Sequence, residues 1–113
     1  MLAPEFEVIA TAGDGLLALE AVARLSPEVV VLDIAMPGLD GIHTARQLRR
    51  SGCKAKIVFL TVQDDEDYIS AALATGANGY VLKSRMQSDL IPAIREALAG
   101  GVFISPRPPA THR

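Results

Sequence analysis

The stretch Glu28–Asp33, EVVVLD, most constrains what this chain can fold into. Val29, Val30, Val31 and Leu32 are apolar without alternation, so a strand built from them must be covered on both faces. That pattern fits a parallel sheet with helices on each side. The run then ends on a carboxylate, Asp33, just before the turn-forming Pro37, Gly38, Asp40 and Gly41.

The rest of the chain repeats strand and helix around this element. EFEVIATA (Glu5–Ala12) predicts a first strand, the Gly13-Asp14-Gly15 turn follows, and LLALEAVARL (Leu16–Leu25) has apolar residues at helical spacing. Ser26-Pro27 breaks that helix. Asp40 is placed to cap a helix reaching about Ser51, with Arg49 and Arg50 near its negative end and Gly52 as the stop. AKIVFLT (Ala55–Thr61) predicts a strand, and DDEDYISAALATG a helix, acidic in its first turn and stopped by Gly76. GYVLK (Gly79–Lys83) predicts another strand, and QSDLIPAIREALAGG a last helix with Pro92 early in it. VFISPRPPATHR begins extended and becomes a Pro-rich exit. The expected fold class is α/β with a parallel sheet, over one domain at 1–105 and a linker start at 106–113.

Composition closes off several functions. The chain has 113 residues, half of them apolar, which supports one packed domain and argues against disorder. Net charge is −2 without a basic block, and Trp is absent, so neither a nucleic-acid surface nor a base-stacking platform is indicated. The lone cysteine, Cys53, cannot form an internal disulfide, which fits a reducing cytoplasm. No apolar run approaches the ~20 residues of a membrane span. His43 and His112 form no ligand motif.

Three predicted strands end on polar residues: Asp33, Thr61 and Lys83. In an open parallel sheet, chemistry lies outside the carboxyl ends of the strands. A carboxylate, a hydroxyl and an ammonium therefore converge on one crevice. Each alone is an ordinary turn, cap or surface residue, but the three together suit a carboxylate nucleophile toward a phosphoryl group, with the hydroxyl and ammonium on its oxygens.

AGDGLLALE, VVVLDIAMPGLDGI, IVFLT, ALATGANGYVLKS and LIPAIREALAGGVFISP occur in order over nearly the whole chain. Through them the sequence resembles the receiver domain of two-component response regulators, in particular the NarL/LuxR-like branch. The resemblance implies a three-layer flavodoxin-like fold in which Asp33 accepts a phosphoryl group from a histidine kinase. It implies that Thr61 is the switch hydroxyl, that Tyr80 is the aromatic whose rotamer follows it, and that Lys83 pairs with the phosphoryl oxygens. Asp33 and the backbone carbonyl of Ala35 would be Mg2+ ligands, and Ser84 after Lys83 suits the NarL-like branch.

The resemblance begins at the family's second strand, so the first strand, its metal-holding acidic pair and most of the first helix are missing from the match. Magnesium binding is then expected to be weak. Asp64-Asp65 and Asp14 are acids in other places, the former read as an acidic first helical turn. In the family's strand order, 2-1-3-4-5, the missing strand is interior. Either the first strand present moves beside VVVLD, or two copies pair or exchange strands in a homodimer. The parent protein is expected to carry a helix-turn-helix domain for transcriptional regulation, with no DNA binding by these residues. The alternative is a phosphorylation-incompetent receiver acting as an interaction module. A phosphatase of α/β fold fits less well, because the position of its second acid is Ala35. Met36, Cys53 and His43 read as loop packing, a loop residue and an exposed helix residue.

Overall fold

The computed structural model describes residues 8–9, 19–20, 22–24, 27–33, 41–62 and 64–106. In chain order these form β1 (Val8–Ile9), β2 (Val29–Asp33), α1 (Gly41–Arg50), β3 (Lys56–Thr61), α2 (Glu66–Leu73), β4 (Gly79–Leu82), a short 3-10 turn (Lys83–Arg85), α3 (Met86–Leu98) and β5 (Phe103–Ile104). Residues 19–20 and 22–24 are also helical. The five strands make one sheet, and every pairing in it is parallel.

The apolar run of β2 is covered on both faces. On one, Val30 and Leu32 join Ile57, Phe59, Tyr80 and Leu82 under Leu48 and Ala72. On the other, Val29 and Val31 join Val58, Val81, Ala93, Ile94 and Ala97. Side chains as buried as Phe59, Leu32 and Ile57 each contribute about 1.5–3 kcal/mol relative to exposure, so the two layers dominate stability.

Each helix follows from its residue pattern. In α1, Ile42, Ala45 and Leu48 face the core while His43, Arg46 and Arg50 face solvent. It closes in a Schellman turn: Gly52 N–H bonds the Arg49 carbonyl and Cys53 N–H the Leu48 carbonyl, with Gly52 at φ +88°. α2 starts on Asp65, whose Oδ1 accepts from the Asp67 and Tyr68 N–H groups at 2.7 and 3.3 Å. In α3, Leu90, Ala93, Ile94, Ala97 and Leu98 form the buried stripe.

Of the expectations, one arrangement of the first strand and the extended tail are seen, and the place of Pro92 changes. The strand order is β1-β2-β3-β4-β5, with Val8 and Ile9 paired to Val29 and Val30, so no gap stands inside the sheet. Of the two ways to complete it, the chain takes the internal one, with its own first strand beside β2. Pro92 lies inside α3, six residues past its start, rather than early in it. It sits on the exposed face, and the Ser88 carbonyl it cannot serve belongs to an exposed residue that water can reach. The tail's extended piece is a fifth strand, held by bonds from Phe103 N–H to the Asn78 carbonyl and from Ser105 N–H to the Tyr80 carbonyl. Asp14, Ala35, Met36, Pro37, Gly38, Asp40 and His112 lie outside the described residues.

Candidate functional site at the carboxyl edge of the sheet

Register brings the three polar strand ends together. Asp33 closes β2 opposite Leu60, and Thr61 closes β3 opposite Leu82. Lys83 follows β4 directly, as the first residue of the 3-10 turn rather than the last of the strand. The three stand on neighbouring strands at one edge. Asp33 is level with Leu60 and Val81, so Lys83 stands two strands over and two residues further along the same edge. Lys83 is exposed.

Thr61 is fully buried, and Tyr80 is 1% exposed. Their hydroxyls share a hydrogen bond. Burial pushes the Tyr80 phenol up to about 12, a rise that the Thr61 bond opposes and the nearby Asp65 and Asp64 carboxylates reinforce. Tyr80 is thus a neutral phenol packed inward, touching the hydroxyl at the end of β3.

Asp64 and Asp65 are exposed. Asp65 is the cap of α2, so the acidic pair does the work of a helix start. His43 is exposed, 3.4 Å from Gln47 across one helical turn. Cys53 is more than a loop residue: it is half-buried, its Sγ accepts from the Ala55 N–H, and its carbonyl accepts from Arg49. A hollow of about 870 Å³, bordered by Leu19, Val22, Glu28, Leu48, Cys53 and Lys56, lies at the opposite edge of the sheet and has no part in the strand-end chemistry.

A buried polar network beside Lys83 was not singled out by sequence. Asp89 on α3 is 5% exposed. Its Oδ2 accepts from Arg85 Nε at 2.8 Å and from Ser105 Oγ at 2.7 Å, and Ser88 Oγ lies 2.9 Å from its Oδ1. Ser105 Oγ in turn accepts from the Leu82 N–H at 3.2 Å. These donors hold the Asp89 carboxyl below the usual carboxylate range, Arg85 most strongly. The Arg85–Asp89 spacing of four is a visible helical pair, whereas nothing in the pattern ties either residue to Ser105.

A doubly covered parallel sheet with Asp33, Thr61 and Lys83 along its carboxyl edge is the architecture of an α/β signalling domain. The family model of the response regulator receiver domain matches residues 2–95, and the chain belongs to that family. It is 39% identical over 104 residues to the transcriptional regulatory protein DegU of Brevibacillus brevis, covering 92% of this chain and 44% of that protein. It is 41% identical over 106 residues to the nitrate/nitrite response regulator protein NarP of Escherichia coli, covering 94% and 49%. Among solved structures, a LuxR-family two-component response regulator from Aurantimonas superposes with TM-score 0.80 at 34% identity, over 87% of this chain and 70% of that one. The isolated receiver domain of RcsB from Salmonella enterica, solved with the phosphomimetic BeF3−, gives TM-score 0.73 at 27% identity, over 81% and 69%. The chain spans about half the length of the curated relatives it matches. It is a receiver domain of the NarL/LuxR kind, and its relatives are response regulators, a signalling rather than an enzymatic class.

Receiver domains generally use Mg2+ at the phosphorylation site. Among the described residues, no group of three or more His, Cys, Asp or Glu side chains could hold a metal ion. The described residues therefore do not by themselves supply a magnesium cage, and no step below is routed through one. No helix among them is long and apolar enough to cross a membrane.

Proposed function

We propose that Asp33 is the phosphoacceptor of this receiver, taking a phosphoryl group from a histidine kinase. A carboxylate oxygen of Asp33 attacks phosphorus, the P–N bond to the kinase imidazole breaks, and that nitrogen takes a proton from water. The product is an acyl phosphate on Asp33. Lys83 and Thr61 bind the phosphoryl oxygens, and Tyr80 reports the movement of Thr61. The observation that carries this reading is the register that ends β2 and β3 on Asp33 and Thr61 and places Lys83 directly after β4, all at one sheet edge. A solved relative that binds a phosphomimetic supports it.

The output we propose is transcriptional regulation through segments of the whole protein beyond these residues, in a cytoplasmic setting, as the relatives' names suggest. Mg2+ at Asp33 and the Ala35 carbonyl goes with this reading. We also propose a homodimer, for which the exposed Ile91, Val102 and Ile104 around β5 offer apolar surface. A phosphorylation-incompetent interaction module is not favoured.

The test is intact-mass analysis after exposure to a small acyl phosphate with Mg2+. A gain of one phosphoryl group, lost in Asp33→Asn, is expected. A gain that survives in Asp33→Asn, or none in the native chain, overturns the assignment. Solution mass before and after labelling tests the dimer.

A further inference from the structure

We propose that Asp89 is a positioning residue for Lys83, acting through Ser105 and Arg85. The inference rests on the proposed role of Lys83 in binding the phosphoryl group.

Lys83 belongs to a three-residue turn between the end of β4 and the start of α3. Both flanks of that turn converge on the same carboxylate oxygen. On one side, the Leu82 N–H donates to Ser105 Oγ, which donates to Asp89 Oδ2. On the other, Arg85 Nε donates to Oδ2 directly. Ser88 Oγ lies 2.9 Å from Oδ1 and 3.2 Å from the Arg85 carbonyl, so its single proton can serve either. Ser105 also bonds the Tyr80 carbonyl through its own N–H. One serine just after β5 thus holds the backbone on both sides of Val81, and one carboxylate locks that serine to the far end of the Lys83 turn.

A carboxylate this buried is costly unless its partners are complete, and an apolar residue could fill the same space. What a completed set of charge-assisted bonds supplies in addition is geometry. Here the fixed segment is Leu82–Arg85, with Lys83 its second residue. A lysine on a flexible stem reaches a defined point only if its Cα is held, and a small displacement of a positioning group costs rate. Asp89 therefore acts on Lys83 through the backbone, without touching the phosphoryl group.

The experiment compares the full chain with Asp89→Asn, Ser105→Ala and Ser105→Thr. Three quantities are read: amide hydrogen exchange at Leu82 against Phe59, the NMR resonance of the Lys83 ammonium, and the rate of labelling by a small acyl phosphate. Asp89→Asn and Ser105→Ala are expected to speed exchange at Leu82 by roughly tenfold while leaving Phe59 unchanged. Both should shift the Lys83 resonance and slow labelling by about tenfold. The double variant should be no worse than either single one. Ser105→Thr, which keeps the hydroxyl, should restore all three. Unchanged Leu82 and Lys83 signals, or exchange that rises equally at Leu82 and Phe59, would overturn the proposal. If the native chain takes no phosphoryl group, the phosphoacceptor reading falls, and the Leu82 and Lys83 signals still decide the positioning role by the same criteria.

Discussion

The hydroxyls of Thr61 and Tyr80 meet in the interior, one at the end of β3 and the other in the middle of β4. Because Phe59 pairs with Tyr80 in the sheet, Thr61 lies two residues further along its strand, on the same face. The phenol packed inward there is neutral.

That neutrality has a measurable consequence. The folded Tyr80 phenol titrates at about 12, above its ordinary value of 10.0. A group whose folded value is raised contributes stability that is fully present below the unfolded value and is lost as pH rises through the folded one. Wild-type stability should therefore decline between pH 10 and 12 from this source, and Tyr80→Phe should lack that component. Denaturant titrations across the window check it. Equal slopes in the two proteins would remove Tyr80 as the cause.

Phe59 is fully buried within the layer that includes Leu32, Ile57 and Leu82. Phe59→Ala deletes a ring from the centre of the sheet, and the surrounding strands cannot close the space. The expected loss is about 3–5 kcal/mol, read as a lower urea midpoint at constant slope. A loss below about 1 kcal/mol would mean that this layer is loosely packed.

The doubly apolar run of β2 was enough to give the parallel sheet, because only helices on both faces leave such a strand dry. The polar strand ends gave Asp33, Thr61 and Lys83, since the carboxyl edge of a parallel sheet is where side chains leave the core. Gly52 and Gly76 as helix stops were legible because positive φ values favour glycine. The order of the strands was legible only as one of two alternatives. A two-residue β1 carries no signal for which neighbour it pairs with, and the pairing is settled by tertiary contact. Pro92 was read as early in a helix starting at Gln87, yet with α3 starting at Met86 it stands past the first turn, on the exposed face. Asp89 escaped notice because its decisive partner, Ser105, is sixteen residues away on another element.

Arg49 illustrates the same limit at the other edge of the sheet. Its Nη1 donates to the carbonyls of Cys53 and Ala55 at 3.0 and 2.9 Å, and Nη2 to that of Gly76 at 3.3 Å. One guanidinium thereby joins the end of α1, the entry to β3 and the turn after α2. Arg49→Met keeps the stem but strands the carbonyls, at an expected cost of about 1–3 kcal/mol by thermal or urea melts. Arg49→Lys should recover little, because a point ammonium lacks the fork that reaches three acceptors. Full recovery by lysine would indicate that charge, not geometry, is the useful property.

Gly79 opens β4 directly opposite Val58 of β3. A Cβ at this position would stand 3.0 and 3.1 Å from the two methyls of Val58, a fully buried side chain. Gly79→Ala should therefore overpack the sheet, costing about 1–3 kcal/mol. Pairing it with Val58→Ala removes the methyls that obstruct it. The double variant should be less destabilised than the sum of the two single ones, a coupling that a melt of all four proteins measures directly. Strict additivity would place the cost in the backbone of residue 79 rather than in the contact.

Asp89 makes acid stability the most direct readout of the Arg85–Ser105 network. Its carboxyl is held below the usual value of 3.8, by Arg85 first and Ser105 next. A depressed folded value contributes stability that is complete above the unfolded value and is lost as pH falls through the folded one. The stability gap between wild type and Asp89→Asn should therefore be constant from neutrality down to about pH 4. It should close below that, as the wild-type carboxylate takes up its proton. Ser105→Ala removes one of the two largest donors, so its acid-dependent loss of stability should be smaller than in wild type and complete at a higher pH. Urea melts at several pH values between neutrality and strong acid follow both. A gap that stays unchanged through the acid range would mean that Asp89 is not ionised in the folded protein, and the network would then lack the charge that gives it its geometry.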